Sequence, residues 1–157
     1  MDQIDFVLNG NEVAYEGSAA DRLLDVLRDA YDMKSVKCGC KEGECGACAV
    51  LLDGVLVNSC CVAVGAVSGR EVTTLEGFRE TTQFKVLSDA FASLSAVQCG
   101  FCIPGMVLAA QALLRKNPHP TEEEVRIGLS GNICRCTGYN AIVNAVLNAS
   151  KEGDGLW

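Results

Sequence analysis

Ten of the 157 residues are cysteines, and most stand in tight groups with glycine between the thiols. In a cytosolic protein such thiols stay reduced and read as metal ligands or redox groups. Cysteines used as small buried hydrophobes would not give this grouping. The first group is Cys40-Lys41-Glu42-Gly43-Glu44-Cys45-Gly46-Ala47-Cys48. Its C-x4-C-x2-C spacing is that of a loop wrapped around a 2Fe–2S cluster. A fourth thiolate must come from further on, and Cys60 and Cys61 are the nearby candidates. Spacing alone does not choose between them. Cys38 competes with Cys40, but its use would open a six-residue gap before Cys45, which this pattern disfavours. Gly39, Gly43 and Gly46 remove side chains that would block a close-wrapping loop. Zinc is the rival metal; structural zinc sites pair two short knuckles, whereas three of these ligands share one loop.

The second group comes in two pairs. Gln98-Cys99-Gly100-Phe101-Cys102 lies directly before Pro104, and Gly131-Asn132-Ile133-Cys134-Arg135-Cys136-Thr137-Gly138-Tyr139 follows later. A C-x2-C pair and a C-x-C pair supply four more thiolates, each pair close to the expected start of a helix. A 2Fe–2S core with four thiolates is an anion, and a helix N-terminus stabilises nearby negative charge by roughly 0.3–1 kcal/mol. Zinc remains the alternative here, although C-x-C is less usual for it. His119, between Pro118 and Pro120, reads as a solvated turn residue. Glu122-Glu123-Glu124 reads as a charge run at a helix start rather than a metal site. Arg135 either pairs with partner carboxylates or balances cluster charge.

The elements that must position these thiols follow from periodicity. Ile4 to Leu8 and Glu12 to Tyr15 flank Asn9-Gly10 as a hairpin. Ser18 with Asp21 resembles a capping box before a helix carrying Leu23, Leu24, Leu27, Ala30 and Tyr31. Ala49 to Leu52 and Val55 to Val57 form a second hairpin around Asp53-Gly54, and Glu71 to Thr74 is one more short strand. Beyond a boundary near Glu76-Gly77-Phe78 the pattern is helical. Helices are expected through Phe84, Leu87, Ala90, Phe91 and Leu94, from Pro104 to about Lys116, from Thr121 with Glu124 to about Leu129, and through Ala141, Ile142, Ala145 and Val146. The tail from Gly153 is expected to be loose. The class is α+β, with residues 1–76 as one domain and residues 77–157 as a second.

Charge and hydropathy narrow the function. Residues 1–76 hold 13 acidic and 6 basic side chains, a balance of −7, and residues 77–157 hold 7 of each. An acidic chain is a poor candidate for nucleic acid. No apolar run reaches the roughly 18 residues of a membrane span, and the start MDQIDFVLNG does not read as a signal peptide. A cytoplasmic protein with no membrane partner is expected.

Together, Gly39 to Cys48, Asn58-Ser59-Cys60, Gln98 to Gly105 and Gly131 to Tyr139 give a specific likeness. The chain resembles the iron–sulfur subunit of the xanthine dehydrogenase family, the molybdenum hydroxylases. The resemblance covers about residues 3–150. It implies an N-terminal β-grasp, plant-type ferredoxin-like 2Fe–2S domain followed by an all-α four-helix 2Fe–2S domain. It assigns Cys40, Cys45, Cys48 and Cys60 to one cluster and Cys99, Cys102, Cys134 and Cys136 to the other, leaving Cys38 and Cys61 spare. It also implies that Gln98 and Cys136 touch a molybdopterin. Ile103 stands where many relatives carry threonine. The implied role is that of an electron-transfer subunit, not catalytic alone. A large partner subunit would bind the molybdenum cofactor and a medium one FAD. Nicotinate is the first substrate expected, with xanthine, aldehyde or aromatic acyl-CoA as alternatives. A free-standing two-cluster carrier and a zinc-stabilised interaction module are the other classes; a zinc protein would be colourless.

Overall fold

A computed structural model describes the whole chain, residues 1–157. Alternating side chains make β1 (Asp2–Leu8), with Ile4, Phe6 and Leu8 turned inward. Asn9 and Gly10, at φ 51° and 81°, form the two-residue turn into β2 (Asn11–Gly17). The register sets Ile4 against Tyr15 and Phe6 against Val13. Helix α1 (Leu23–Asp29) buries Leu23, Leu24, Val26 and Leu27 against the sheet core. Then β3 (Ala49–Leu52) and β4 (Val55–Asn58) close around Asp53-Gly54, and β5 (Glu71–Thr73) pairs parallel to β1 and antiparallel to β3. The strand order β2-β1-β5-β3-β4 is a mixed sheet grasping one helix, the β-grasp arrangement.

The rest is helical: a single turn α2 (Leu75–Phe78), then α3 (Thr82–Ser93), α4 (Ile103–Lys116), α5 (Glu122–Gly128) and α6 (Asn140–Glu152). The Thr81 hydroxyl caps α3 by accepting from the Phe84 N–H. Thr121 and Glu124 form the full capping box of α5. Ser18 and Asp21 do not cap α1, which starts at Leu23 without a side-chain cap. The Asp21 carboxylate instead accepts from the Ser18 N–H and, at 2.6 Å, from the Tyr15 hydroxyl. This ties the turn to β2. The C-terminal tail is not loose. The Gln83 side chain donates to the Leu156 carbonyl, and the Trp157 ring packs over Gly153 and the helical core.

Two cores result. One joins Ile4, Leu24, Val50 and Val72; the other joins Leu87, Phe91, Met106, Leu114 and Val146. Strand β3 serves both. Its residues are all buried, and alternation sends Val50 and Leu52 into the sheet core and Leu51 into the helical one. A second joint lies between cysteine loops. A Cβ added at Gly105, in the first turn of α4, would stand 2.4 Å from the Gly46 carbonyl oxygen. Helix propensity alone favours alanine over glycine by about 1 kcal/mol. Here the clash is with backbone, where overpacking costs about 1–3 kcal/mol. Gly105→Ala should therefore lower the thermal midpoint, measured by circular dichroism; an unchanged or raised midpoint would show that the loops are not held this closely.

Candidate metal centres

The first thiols lie on a loop tied at several points. Its backbone turns through Lys41, Gly43 and Gly46, all at positive φ. A Cβ at Gly39 would reach 2.5 Å from the Cys45 sulfur, so the loop has no room for a side chain there. The N–H groups of Glu42, Glu44 and Cys45 all point at the Cys40 sulfur, at 3.4, 3.3 and 3.4 Å. Those backbone hydrogen bonds, Glu42 foremost, lower the Cys40 thiol to about 7.

The second half of this set is deeper. Cys48 and Cys60 are buried and hydrogen-bonded to each other, and the Cys60 N–H donates to the Cys48 sulfur at 3.4 Å. Burial pushes the Cys48 thiol up to about 11. Asn58 donates to the Gly43 carbonyl and the Ser59 hydroxyl to the Cys48 carbonyl, which pins this turn against the loop. Cys61 is exposed, with its sulfur 3.7 Å from that of Cys60. Cys60 is thus the thiol turned inward. Cys38 packs against the sheet core.

In the helical part the same two-by-two pattern recurs. Cys102 at the start of α4 and Cys134 are buried and bonded to each other, whereas Cys99 and Cys136 are exposed and form the other pair. Burial drives Cys102 up to about 12. Burial would raise Cys134 too, but the Thr137 hydroxyl and N–H outweigh it and bring the thiol down to about 7. The hydroxyl stands 3.0 Å and the N–H 3.4 Å from the Cys134 sulfur. The Cys134 N–H donates to the Tyr139 hydroxyl, closing the loop on itself.

No three cysteine, histidine or carboxylate side chains gather around a single point, as one metal ion would require. The cysteines of each set would suit a 2Fe–2S cluster, which would supply one-electron transfer. The donor set, the sulfur-directed N–H groups and the glycine cradle fit such a cluster. Were Cys48 and Cys102 to bind iron, they would have to give up protons that burial makes them hold tightly.

The two loops touch. The Ile133 N–H donates to the Cys45 carbonyl at 2.9 Å, and buried Asn132 donates to the Gly46 carbonyl at 3.2 Å. Neither residue was singled out from sequence as a link; the run Gly131-Asn132-Ile133 gave only its place beside Cys134. Thr137 was also missed, though a threonine three residues after Cys134 is well placed to bond its sulfur. Gln98 is exposed and its amide makes no hydrogen bond within the chain. Arg135 is exposed and in no ion pair, and His119 lies near Asp154 at 3.4 Å.

Known proteins share this plan. A 2Fe-2S iron-sulfur cluster binding domain family matches residues 6–73, and a 2Fe-2S binding domain family matches residues 74–147. The chain is 48% identical to the nicotinate dehydrogenase small FeS subunit of Eubacterium barkeri, over 95% of each. It is 42% identical to the xanthine dehydrogenase iron-sulfur-binding subunit of Escherichia coli O157:H7, over 94% of each. The aldehyde oxidoreductase structure from Desulfovibrio desulfuricans superposes with TM-score 0.92 at 41% identity, over 99% of this chain and 17% of that one.

Replacing Cys60 with serine should lose the first cluster, and replacing Cys61 or Cys38 should leave both. Iron content and the optical spectrum of each variant check this. Loss on Cys61→Ser with retention on Cys60→Ser would reverse the assignment.

Proposed function

The chain belongs to the two-domain 2Fe–2S family that supplies the iron–sulfur subunits of the xanthine dehydrogenase-type molybdenum hydroxylases, and on that premise we propose that it carries electrons from a molybdenum cofactor to FAD, both in partner subunits. The observation that supports this most directly is the Cys45–Ile133 hydrogen bond. It joins the backbone of one thiol set to the residue next to Cys134 in the other. Bound 2Fe–2S clusters would each accept and release one electron at a time.

Cys40, Cys45, Cys48 and Cys60 hold one cluster and Cys99, Cys102, Cys134 and Cys136 the other, with residues 1–76 and 77–157 as the two domains. Exposed Cys99 and Cys136, with the free amide of Gln98 beside them, form the edge that meets the pterin. An amide both donates and accepts, which suits a ring edge with mixed groups. Val97, Phe101 and Ile133 are large apolar side chains exposed around that edge. A free-standing carrier would leave them in water; a subunit covers them with the molybdenum partner. The first domain, which carries the whole net charge, faces the flavin partner. No helix is long and apolar enough to cross a membrane. Nicotinate is the proposed substrate, from the likeness to the nicotinate dehydrogenase subunit.

Iron and acid-labile sulfide should each reach about four per chain. Stoichiometric zinc in a colourless protein would overturn the reading. In the purified complex, nicotinate should reduce both clusters; reduction by xanthine alone would keep the role and change the substrate. Gln98→Ala should keep both clusters, because it removes no thiolate, yet leave a pterin group unpaired at roughly 1–3 kcal/mol. Molybdenum content and cluster reduction rate should fall in that variant; no change in either would remove Gln98 from the contact.

A further inference from the structure

We propose that the Thr137 hydroxyl sets the reduction potential of the second cluster by hydrogen-bonding the Cys134 sulfur. This rests on the reading of Cys134 as an iron ligand. The hydroxyl oxygen lies 3.0 Å from that sulfur. A hydroxyl has a single proton to give, so its direction must be argued. The Tyr139 N–H donates to the Thr137 oxygen at 3.3 Å, which occupies a lone pair. The remaining partner is the sulfur, and the proton goes there.

The backbone enforces this geometry. Gly138 and Tyr139 both sit at positive φ, 67° and 72°, and this bends the Tyr139 N–H back towards Thr137. A non-glycine residue in that region is disfavoured. The Tyr139 hydroxyl offsets the cost by accepting from the Cys134 N–H at 3.1 Å. Thr137 therefore sits in a six-residue ring, Cys134 to Tyr139, closed at both ends on the same ligand.

A hydrogen bond to a ligand sulfur stabilises the more negative, reduced state more than the oxidised one, and so raises the potential. At the first set the comparable donors to Cys40 are backbone N–H groups, which no side-chain truncation removes. In the first set the Ser59 hydroxyl donates to the Cys48 carbonyl at 2.7 Å and also lies close enough to the Cys48 thiol to lower it. Thr137 is thus a side chain that can move one centre's potential and leave the other alone. It is a positioning residue, because it acts through the cysteine.

The test uses the full chain purified with its clusters, titrated electrochemically and followed by electron paramagnetic resonance. Cys40→Ser and Cys134→Ser assign the two signals. Thr137→Val removes the donor at nearly constant volume, and Thr137→Ser keeps it. The second cluster's midpoint should shift to lower potential in Thr137→Val and return in Thr137→Ser, with the first cluster unmoved. If valine crowds the cluster out, Thr137→Ala leaves room and carries the same expectation. An unmoved potential at full occupancy, or a shift in Thr137→Ser as large as in Thr137→Val, overturns the proposal. If Cys134→Ser leaves both signals in place, the ligand assignment falls and takes this role with it. An unmoved potential with the signal lost in Cys134→Ser overturns Thr137 alone.

Discussion

The contact between Cys45-Gly46 and Asn132-Ile133 holds the rest in place. Two backbone carbonyls of the sheet domain's loop accept from the helical domain's loop, and Gly46 and Gly105 let the chains approach to backbone distance. A buried carbonyl left without a partner is costly, so each domain completes the other's hydrogen bonding. Leu51 adds the apolar half of the same joint by leaving its own sheet for the helical core. The separation of the two thiol sets is therefore fixed by packing and not by a hinge.

The two sets distribute depth alike but acidity differently. One pair is buried and the other lies nearer solvent. In the first set the donors converge on the shallower Cys40, and in the second on the buried Cys134. Cys48 and Cys102 are the thiols that burial keeps protonated. Cys40 and Cys134 are the ones that hydrogen bonds have prepared as thiolates. Each set thus combines a thiol ready to ionise with one that burial holds back, and a metal binding there would have to overcome the desolvation of the second.

Much of this was legible in the sequence, for physical reasons. The hairpins showed because Asn9-Gly10 and Asp53-Gly54 supply positive φ, and the capping box of α5 showed because Thr121 and Glu124 satisfy each other locally. The cysteine groups stood out because each lies within a short stretch of chain, although spacing did not choose between Cys60 and Cys61. What stayed hidden was whatever depended on distant partners. Ser18 and Asp21 had the letters of a cap, yet Tyr15, across the turn, claimed the carboxylate. The tail read as loose because nothing near it in sequence announces that Gln83 and Gly153 receive it. The Ile133–Cys45 bond joins residues that no window spans.

The exposed pair Cys99 and Cys136 has a consequence for oxidation. With these as ligands, the outer rim of the second centre lies open to water and dioxygen until another chain lies over it. A partner lying over that rim would shield both thiols, so a chain purified alone would be the form most open to oxidation there.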